Sequence, residues 1–310
     1  MSSFLHPAVS GDRADQELTT VSADTALAVD TALAVETAPV AVGAAADAVA
    51  PVVRVPAPYR AVTSHLAIAP PVSVVIPAMN EARNLPHVFA SLPEWIHEVV
   101  LVDGNSTDDT VAVAKEHWPG VKVVKQVGKG KGDALISGFA ACTGDIIVMV
   151  DADGSADGQE IVSYVSALVG GADFAKGSRF ANGGGTDDMT PIRKLGNWAL
   201  CTAVNTKFGA RYTDLCYGYN AFWKRCLDDI VLDCSGFEIE TLINIRIVKA
   251  GLRVQEVPSH EYNRIHGVSN LNAIRDGIRV LKVILGEKRA PRVRRPVRTV
   301  GLDARRGATS

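Results

Sequence analysis

From Val72 onward the chain alternates short, continuous apolar runs with stretches whose apolar positions recur at helical spacing. The runs VSVVIP (72–77), HEVVLVD (97–103), VKVVKQ (121–126) and DIIVMVD (145–151) read as strands. Between them, NEARNLPHVFASL, STDDTVAVAKEHW and GDALISGFAACTG read as helices, the second capped by Ser106 or Thr107 and the third ending at Gly144. Strands without polar alternation, separated by helices, predict a parallel sheet covered on both faces. Ligands of such sheets bind at the carboxyl ends of the strands. Polar residues collect there: Asn80 and Glu81, Asp103, then Asp151 and Asp153.

The second half is less regular. ADFAKGSRF (172–180) is strand-like, NGGG (182–185) is a loop, and an apolar helix is expected around 192–208. YTDLCYGYNAFW follows, then a helix at GFEIETLINIRIVKAG, a strand at LRVQEVP and an amphipathic helix through LNAIRDGIRVLKVILGEK. Residues 1–70 differ from all of this. They are rich in Ala, Val, Thr and Pro, repeat DTALAV in tandem at Asp24–Val29 and Asp30–Val35, and contain one Phe, one Tyr and no Trp. Such a stretch cannot bury much apolar surface, so a disordered extension is expected. The organisation is then an extension (1–70), one α/β domain (71–286) and a flexible tail (287–310).

Composition adds bounds. Hydrophobic content of 47% and charged content of 21% fit a soluble globular protein, and a net charge of −2 gives no case for binding nucleic acid. The tail from Glu287 to Ser310 nevertheless carries eight Lys/Arg against two acids, while the first 70 residues carry seven acids against three arginines. Five scattered cysteines without a CxxC pair suggest reduced thiols in a cytosolic protein. No secretory signal or membrane span is evident, so a cytoplasmic location is expected.

The densest candidate chemistry is VMVDADGSADG (148–158), with Asp151, Asp153 and Asp157 within seven residues. An EF-hand counted from Asp151 would need Gly at position 6 and Glu at position 12, where Ala156 and Val162 stand. That leaves a polar turn, or a site where Asp151 and Asp153 hold Mg²⁺ or Mn²⁺ on a diphosphate. GKGKGDALISG (128–138) lacks phosphate-loop spacing but precedes a helix, so it is either a solvated turn or an anion site using Lys129 or Lys131. Asp103 is placed to accept from a nucleobase or ribose, and Arg179, beside the glycine loop, suits a phosphate. Asp214 stands out as a carboxylate in apolar and aromatic surroundings. Glu238 and Glu240 open a helix, where at least one is a capping acid.

In this order the pieces resemble the inverting glycosyltransferases of family 2, which have the GT-A fold. VSVVIPAMNEARNL is similar to the family's opening strand and P-x-x-N-E turn, VLVDGNSTDDT to its nucleobase-binding strand, and DIIVMVDADG to its D-x-D strand. GKGDALISGF, GSRF…GGG and the segment from Arg264 to Leu271 resemble the dolichyl- and polyprenyl-phosphate mannosyl- or glucosyltransferases. The resemblance covers about residues 72–285. It implies a single GT-A domain with a mostly parallel sheet flanked by helices. It also implies that Pro77, Asn80, Glu81 and Asp103 bind nucleotide, and that Asp151 and Asp153 hold the metal. Arg179, Arg193 and Arg264 would meet phosphate, with Lys131 and Ser269 in the same substrate set.

Two departures stand out: Ser155 replaces the Gln of D-x-D-x-Q, and Asn270 replaces a basic residue. The implied reaction moves mannose or glucose from GDP-mannose or UDP-glucose to a polyprenyl phosphate, with Arg179 opposing charge on the departing phosphates. A hydroxyl acceptor is the alternative. It would need a general base, for which Asp214 is the first candidate and Glu238 the second. A lipid acceptor, the basic tail and the last helix together imply a peripheral enzyme at the cytoplasmic membrane face.

Overall fold

A computed structural model describes residues 70–268 and 273–288. The extension up to residue 69, Ser269 and Asn270, and the tail from 289 lie outside the described residues.

The first half follows the hydrophobic pattern. Strands β1 (Val72–Ala78), β2 (Glu98–Asp103), β3 (Lys122–Lys125) and β4 (Ile146–Met149) alternate with helices α1 (Leu85–Ser91), α2 (Thr110–His117) and α3 (Lys131–Ala141). β1 is parallel to β2 and β4, and β2 to β3. The second half contributes α4 (Ile161–Val169), β5 (Phe174–Ser178), β6 (Gly185–Thr186), α5 (Pro191–Phe208), β7 (Asn220–Trp223), α6 (Ile239–Lys249), β8 (Val254–Pro258), β9 (His260–Glu261) and α7 (Ala273–Gly286). The main sheet has the order β3-β2-β1-β4-β7-β5-β8, and β6 pairs with β9 in a second, two-stranded sheet. β7 lies antiparallel between β4 and β5, whereas β5 and β8 are parallel. The mostly parallel sheet expected from the sequence is therefore present, with one antiparallel insertion.

Side chains of successive strand residues point to opposite faces, which divides the core into two layers. Val74, Ile76, Leu101 and Val148 pack with α1, α2 and α4. Val75, Val100, Ile147 and Met149 pack with α3 and α6 on the other face. α3 approaches so closely that a Cβ on Gly138 would sit 2.5 Å from Val75 Cγ1. A third cluster joins α5, α6 and α7 through Cys201, Val204, Ile245, Val280 and Ile284.

Two helix ends differ from expectation, and hydrogen bonds explain both. α2 starts at Thr110 because Ser106 and Thr107 are engaged elsewhere. Asn80 N donates to Ser106 Oγ at 3.0 Å, and Thr107 N donates to Asn80 Oδ1 at 2.8 Å. α3 ends at Ala141, since Cys142 is extended and Gly144 N donates to Ser73 Oγ at 2.9 Å.

Candidate active site

Each parallel strand delivers its polar residue to one edge of the sheet. After β1 the backbone turns through Asn80, whose φ of +60° lies in the left-handed region that Asn tolerates better than most residues. The turn buries Glu81. Its N–H donates to Thr110 Oγ1 at 2.9 Å, and its carboxylate accepts from Asn84 Nδ2 at 2.5 Å and from Arg264 Nη1 at 2.9 and 3.0 Å. Burial raises the Glu81 carboxyl above its usual range, although Asn84 and Arg264 oppose the shift. At the end of β2, Asp103 Oδ1 accepts from Ser106 N at 3.0 Å and so shapes the turn through Gly104 and Asn105.

Beyond β4 the acidic turn is held by two cations from distant parts of the chain. Lys131 Nζ, at the start of α3, lies 2.6 Å from Asp151 Oδ1 and 2.6 Å from Glu240 Oε1. Burial would lower the lysine's proton affinity, but the two carboxylates outweigh it and hold Lys131 firmly charged. Glu240 is buried deeply enough that its carboxyl is raised even with Lys131 against it. Asp153 Oδ1 accepts from Ser155 N at 3.0 Å, and its Oδ2 is 3.4 Å from Arg264 Nη2. Arg264 thus ties the β1 turn to the D-x-D turn.

Past β5, Arg179 is clamped. Its Nε donates to Asp214 Oδ2 at 2.6 Å and Nη2 to Asp214 Oδ1 at 2.9 Å, while Nη1 reaches Glu261 Oε2 at 2.9 Å. The guanidinium carbon sits 4.9 Å from the Tyr217 ring centroid, within the range of a cation–π contact. Asp214 is fully buried. Burial alone would raise its carboxyl, yet Arg179 and Lys176 hold it below its ordinary value.

These groups surround a cleft of about 540 Å³ lined by Pro77, Glu81, Lys131, Asp151, Asp153, Arg179, Arg193 and Arg264, all expected from the sequence. Gly104, Asn105 and Gln126 extend it along the ends of β2 and β3. Asn80 and Asp103 do not line it themselves but hold the neighbouring turns through Ser106 and Thr107. Both candidate bases change position. Asp214 faces Arg179 and not the cleft, so its carboxylate is in no position to meet an acceptor hydroxyl. Glu238 sits at the N-terminus of α6, where its Oε1 accepts from Gly236 N at 3.2 Å, and it does not line the cleft. The acids that do line it from this half are Asp188, Glu240 and Glu261. The EIE spacing of 238–240 carried the signal for Glu240, because α6 begins at Ile239 and only the second acid turns inward.

Asp151 and Asp153 are hard oxygen donors on the cleft wall. No group of three or more His, Cys, Asp or Glu is assembled for a metal among the described residues. The pair suits an ion such as Mg²⁺, which takes one or two carboxylates and completes its shell with water and phosphate oxygens.

A mostly parallel sheet whose strand ends open into a cleft of paired carboxylates, arginines and a lysine fits the GT-A class of sugar-nucleotide transferases. The chain belongs to the family described as glycosyl transferase family 2, whose profile matches residues 73–230, and it is accordingly a nucleotide-sugar-dependent glycosyltransferase. It is 32% identical to glycosyltransferase AglJ of Haloferax volcanii over 66% of this chain and 68% of that protein. It is 30% identical to the undecaprenyl-phosphate mannosyltransferase of Micrococcus luteus over 65% of this chain and 87% of that one. Among solved structures, glucosyl-3-phosphoglycerate synthase from Mycobacterium tuberculosis in complex with Mg²⁺ and uridine diphosphate superposes with a TM-score of 0.57 at 22% identity. That match covers 70% of this chain and 79% of the other, and at this identity it is a likeness of fold.

Proposed function

We propose that the protein transfers a hexose, mannose or glucose, from a nucleoside-diphosphate sugar to a polyprenyl phosphate with inversion at the anomeric carbon. One observation favours a phosphate acceptor over a hydroxyl. Every carboxylate lining the cleft is paired with a cation: Glu81 and Asp153 with Arg264, Asp151 and Glu240 with Lys131, Asp188 with Arg193, and Glu261 with Arg179. A hydroxyl nucleophile requires a general base within hydrogen-bond reach. A phosphate monoester is already ionised near neutral pH and requires cationic positioning instead. The relatives named for polyprenyl-phosphate substrates support the same reading.

In this mechanism Gly104, Asn105 and Gln126 cradle the nucleoside beside the ends of β2 and β3. Asp151 and Asp153 are the residues that would hold Mg²⁺ or Mn²⁺, which supplies charge neutralisation at the donor diphosphate. Arg179 opposes charge on the departing diphosphate, Arg193 orients the acceptor phosphate, and Lys131 fixes the Asp151 carboxylate. An acceptor oxygen attacks the anomeric carbon as the bond to the diphosphate breaks, and no proton is transferred. Residues 71–286 form the catalytic unit in this reading, flanked by the extension and the tail. No described helix is long and apolar enough to cross a membrane; in this reading a lipid acceptor is met peripherally at the cytoplasmic face.

The test pairs GDP-mannose and UDP-glucose, each with Mg²⁺ or Mn²⁺, against a polyprenyl phosphate and its dephosphorylated alcohol. Transfer to the phosphate alone, giving a β-linked product from an α-linked donor, is expected. Transfer to the alcohol at an equal rate would overturn the phosphate reading and direct attention to Glu240, the buried carboxyl in the cleft, as the base.

A further inference from the structure

Two helices of the second half present apolar side chains to solvent as well as to the core. On α5, Ile192, Leu195 and Trp198 are 82, 64 and 65% exposed, and their spacing of three sets them along one stripe. The opposite side of the helix buries Asn197, Cys201 and Val204. α7 packs Val280 and Ile284 inward, yet Ile278, Leu281 and Leu285 on its other side remain 49, 42 and 67% exposed. A helix on the surface of a soluble protein needs one apolar stripe. These two helices have a second.

Charge indicates what covers it. Arg275, Arg279 and Lys282 stand among the exposed apolar residues of α7. The helix's single acid, Asp276, is turned inward at 3% exposure, 3.4 Å from each arginine. Cations interleaved with apolar groups, on a helix whose acid is turned inward, are what an interfacial helix requires. Its apolar side chains enter the acyl boundary while its long cationic ones extend to anionic headgroups. A second copy of this chain fits less well, because it would bring the same three cations against one another. The position matches too. Arg193, next to Ile192, lines the cleft, so the α5 stripe begins at the cleft mouth.

We propose that the outer faces of α5 and α7 dock the protein on an anionic lipid bilayer, with the mouth of the cleft opening at headgroup level. This deepens the lipid-phosphate reading and draws its purpose from it, but the docking is testable without turnover. The full chain is sedimented with vesicles of phosphatidylcholine, with and without phosphatidylglycerol. Binding is expected only with the anionic lipid, weakening as salt rises. At about 1 kcal/mol per surface cation, the double substitution R279Q/K282Q lowers the partition coefficient about thirtyfold. L281D/L285D and W198D each lower it at least about tenfold. Circular dichroism melts confirm that these exposed substitutions leave the protein folded.

Transfer to a short, water-soluble prenyl phosphate separates the two readings. Docking variants that keep this activity and lose vesicle binding support the surface. Vesicle binding by a protein inactive on every phosphate acceptor would sink the acceptor reading and leave the surface standing. Wild-type protein that ignores anionic vesicles, or variants that bind them unchanged, would overturn the proposal. So would a dimer, seen by analytical ultracentrifugation, that L281D/L285D dissociates without any change in vesicle binding.

Discussion

Substituting Asp214 by Asn separates the role of base from that of support. Asp214 accepts from the Arg179 backbone N–H at 3.2 Å, from Nε at 2.6 Å and from Nη2 at 2.9 Å. Both side chains are shielded from water, and Asn would keep the shape while removing the charge. Deleting one partner of a buried ion pair costs about 3–5 kcal/mol. Glu261 remains beside Arg179, and the amide still accepts one bond, which places the expected cost near the low end, about 3 kcal/mol. At about 2–4 °C per kcal/mol for a domain of this size, Tm falls by about 6–12 °C. Thermal melts followed by circular dichroism read this directly. Donor KM should rise with the loss of activity, since a loosened Arg179 lines the cleft.

The pH dependence carries a sign. The Asp214 carboxyl is held below its usual value, so its contribution is fully present above the unfolded aspartate value of about 3.9 and is lost as pH falls through the lower, folded one. Wild-type Tm should therefore drop more steeply than that of the variant below about pH 4. An Asn variant with unchanged Tm and unchanged donor KM, but with kcat lost by orders of magnitude, would refute the argument and restore Asp214 as a base.

Three further predictions follow from the same geometry. D153A should abolish the Mn²⁺-dependent part of nucleoside-diphosphate binding in titration calorimetry, and an unchanged affinity would remove Asp153 from the metal site. Burial holds Glu240 above its usual value of 4.5, so its stabilising contribution is present below that pH and is lost as pH rises toward the folded value. E240Q should flatten the fall of Tm as pH rises above about 4.5, whereas melting temperatures running parallel to wild type would contradict the assignment. G138A would place a methyl 2.5 Å from Val75 Cγ1 and 2.9 Å from Val102 Cγ2. It should cost about 1–3 kcal/mol by overpacking, seen as a lower Tm with donor KM unaltered.

The first half of the fold was legible because its determinants are local. Val72–Pro77 and Ile146–Met149 are mostly apolar on both faces, and polar residues that line the cleft, Glu81 and Asp151, follow within a few positions of β1 and β4. β7 was harder to see. It has four residues, its neighbours β4 and β5 both precede it in the chain, and nothing within NAFW signals an antiparallel insertion. The ion pairs were invisible for a related reason. Arg179 finds Asp214 across 35 positions and Glu261 across 82, and Arg264 reaches back 183 positions to Glu81. An isolated acid in an aromatic stretch therefore suggested reactivity, where the fold supplies a guanidinium to neutralise it. Glu238 and Glu240 differ only in which side of the first helical turn they occupy, and α6 starting at Ile239 decides between them.

The strand order also bears on how this protein is divided for expression. The family profile matches only as far as residue 230, which makes that boundary an attractive place to cut. A fragment ending there would lose β8 and leave the ladder of β5 unpaired, an open edge that invites association with other chains. It would also shed Glu240, Glu261 and Arg264, so that Lys131 and Arg179 each lose a counter-charge and Asp153 loses its cation. Such a fragment would keep most of the recognisable motifs and aggregate before it could display them.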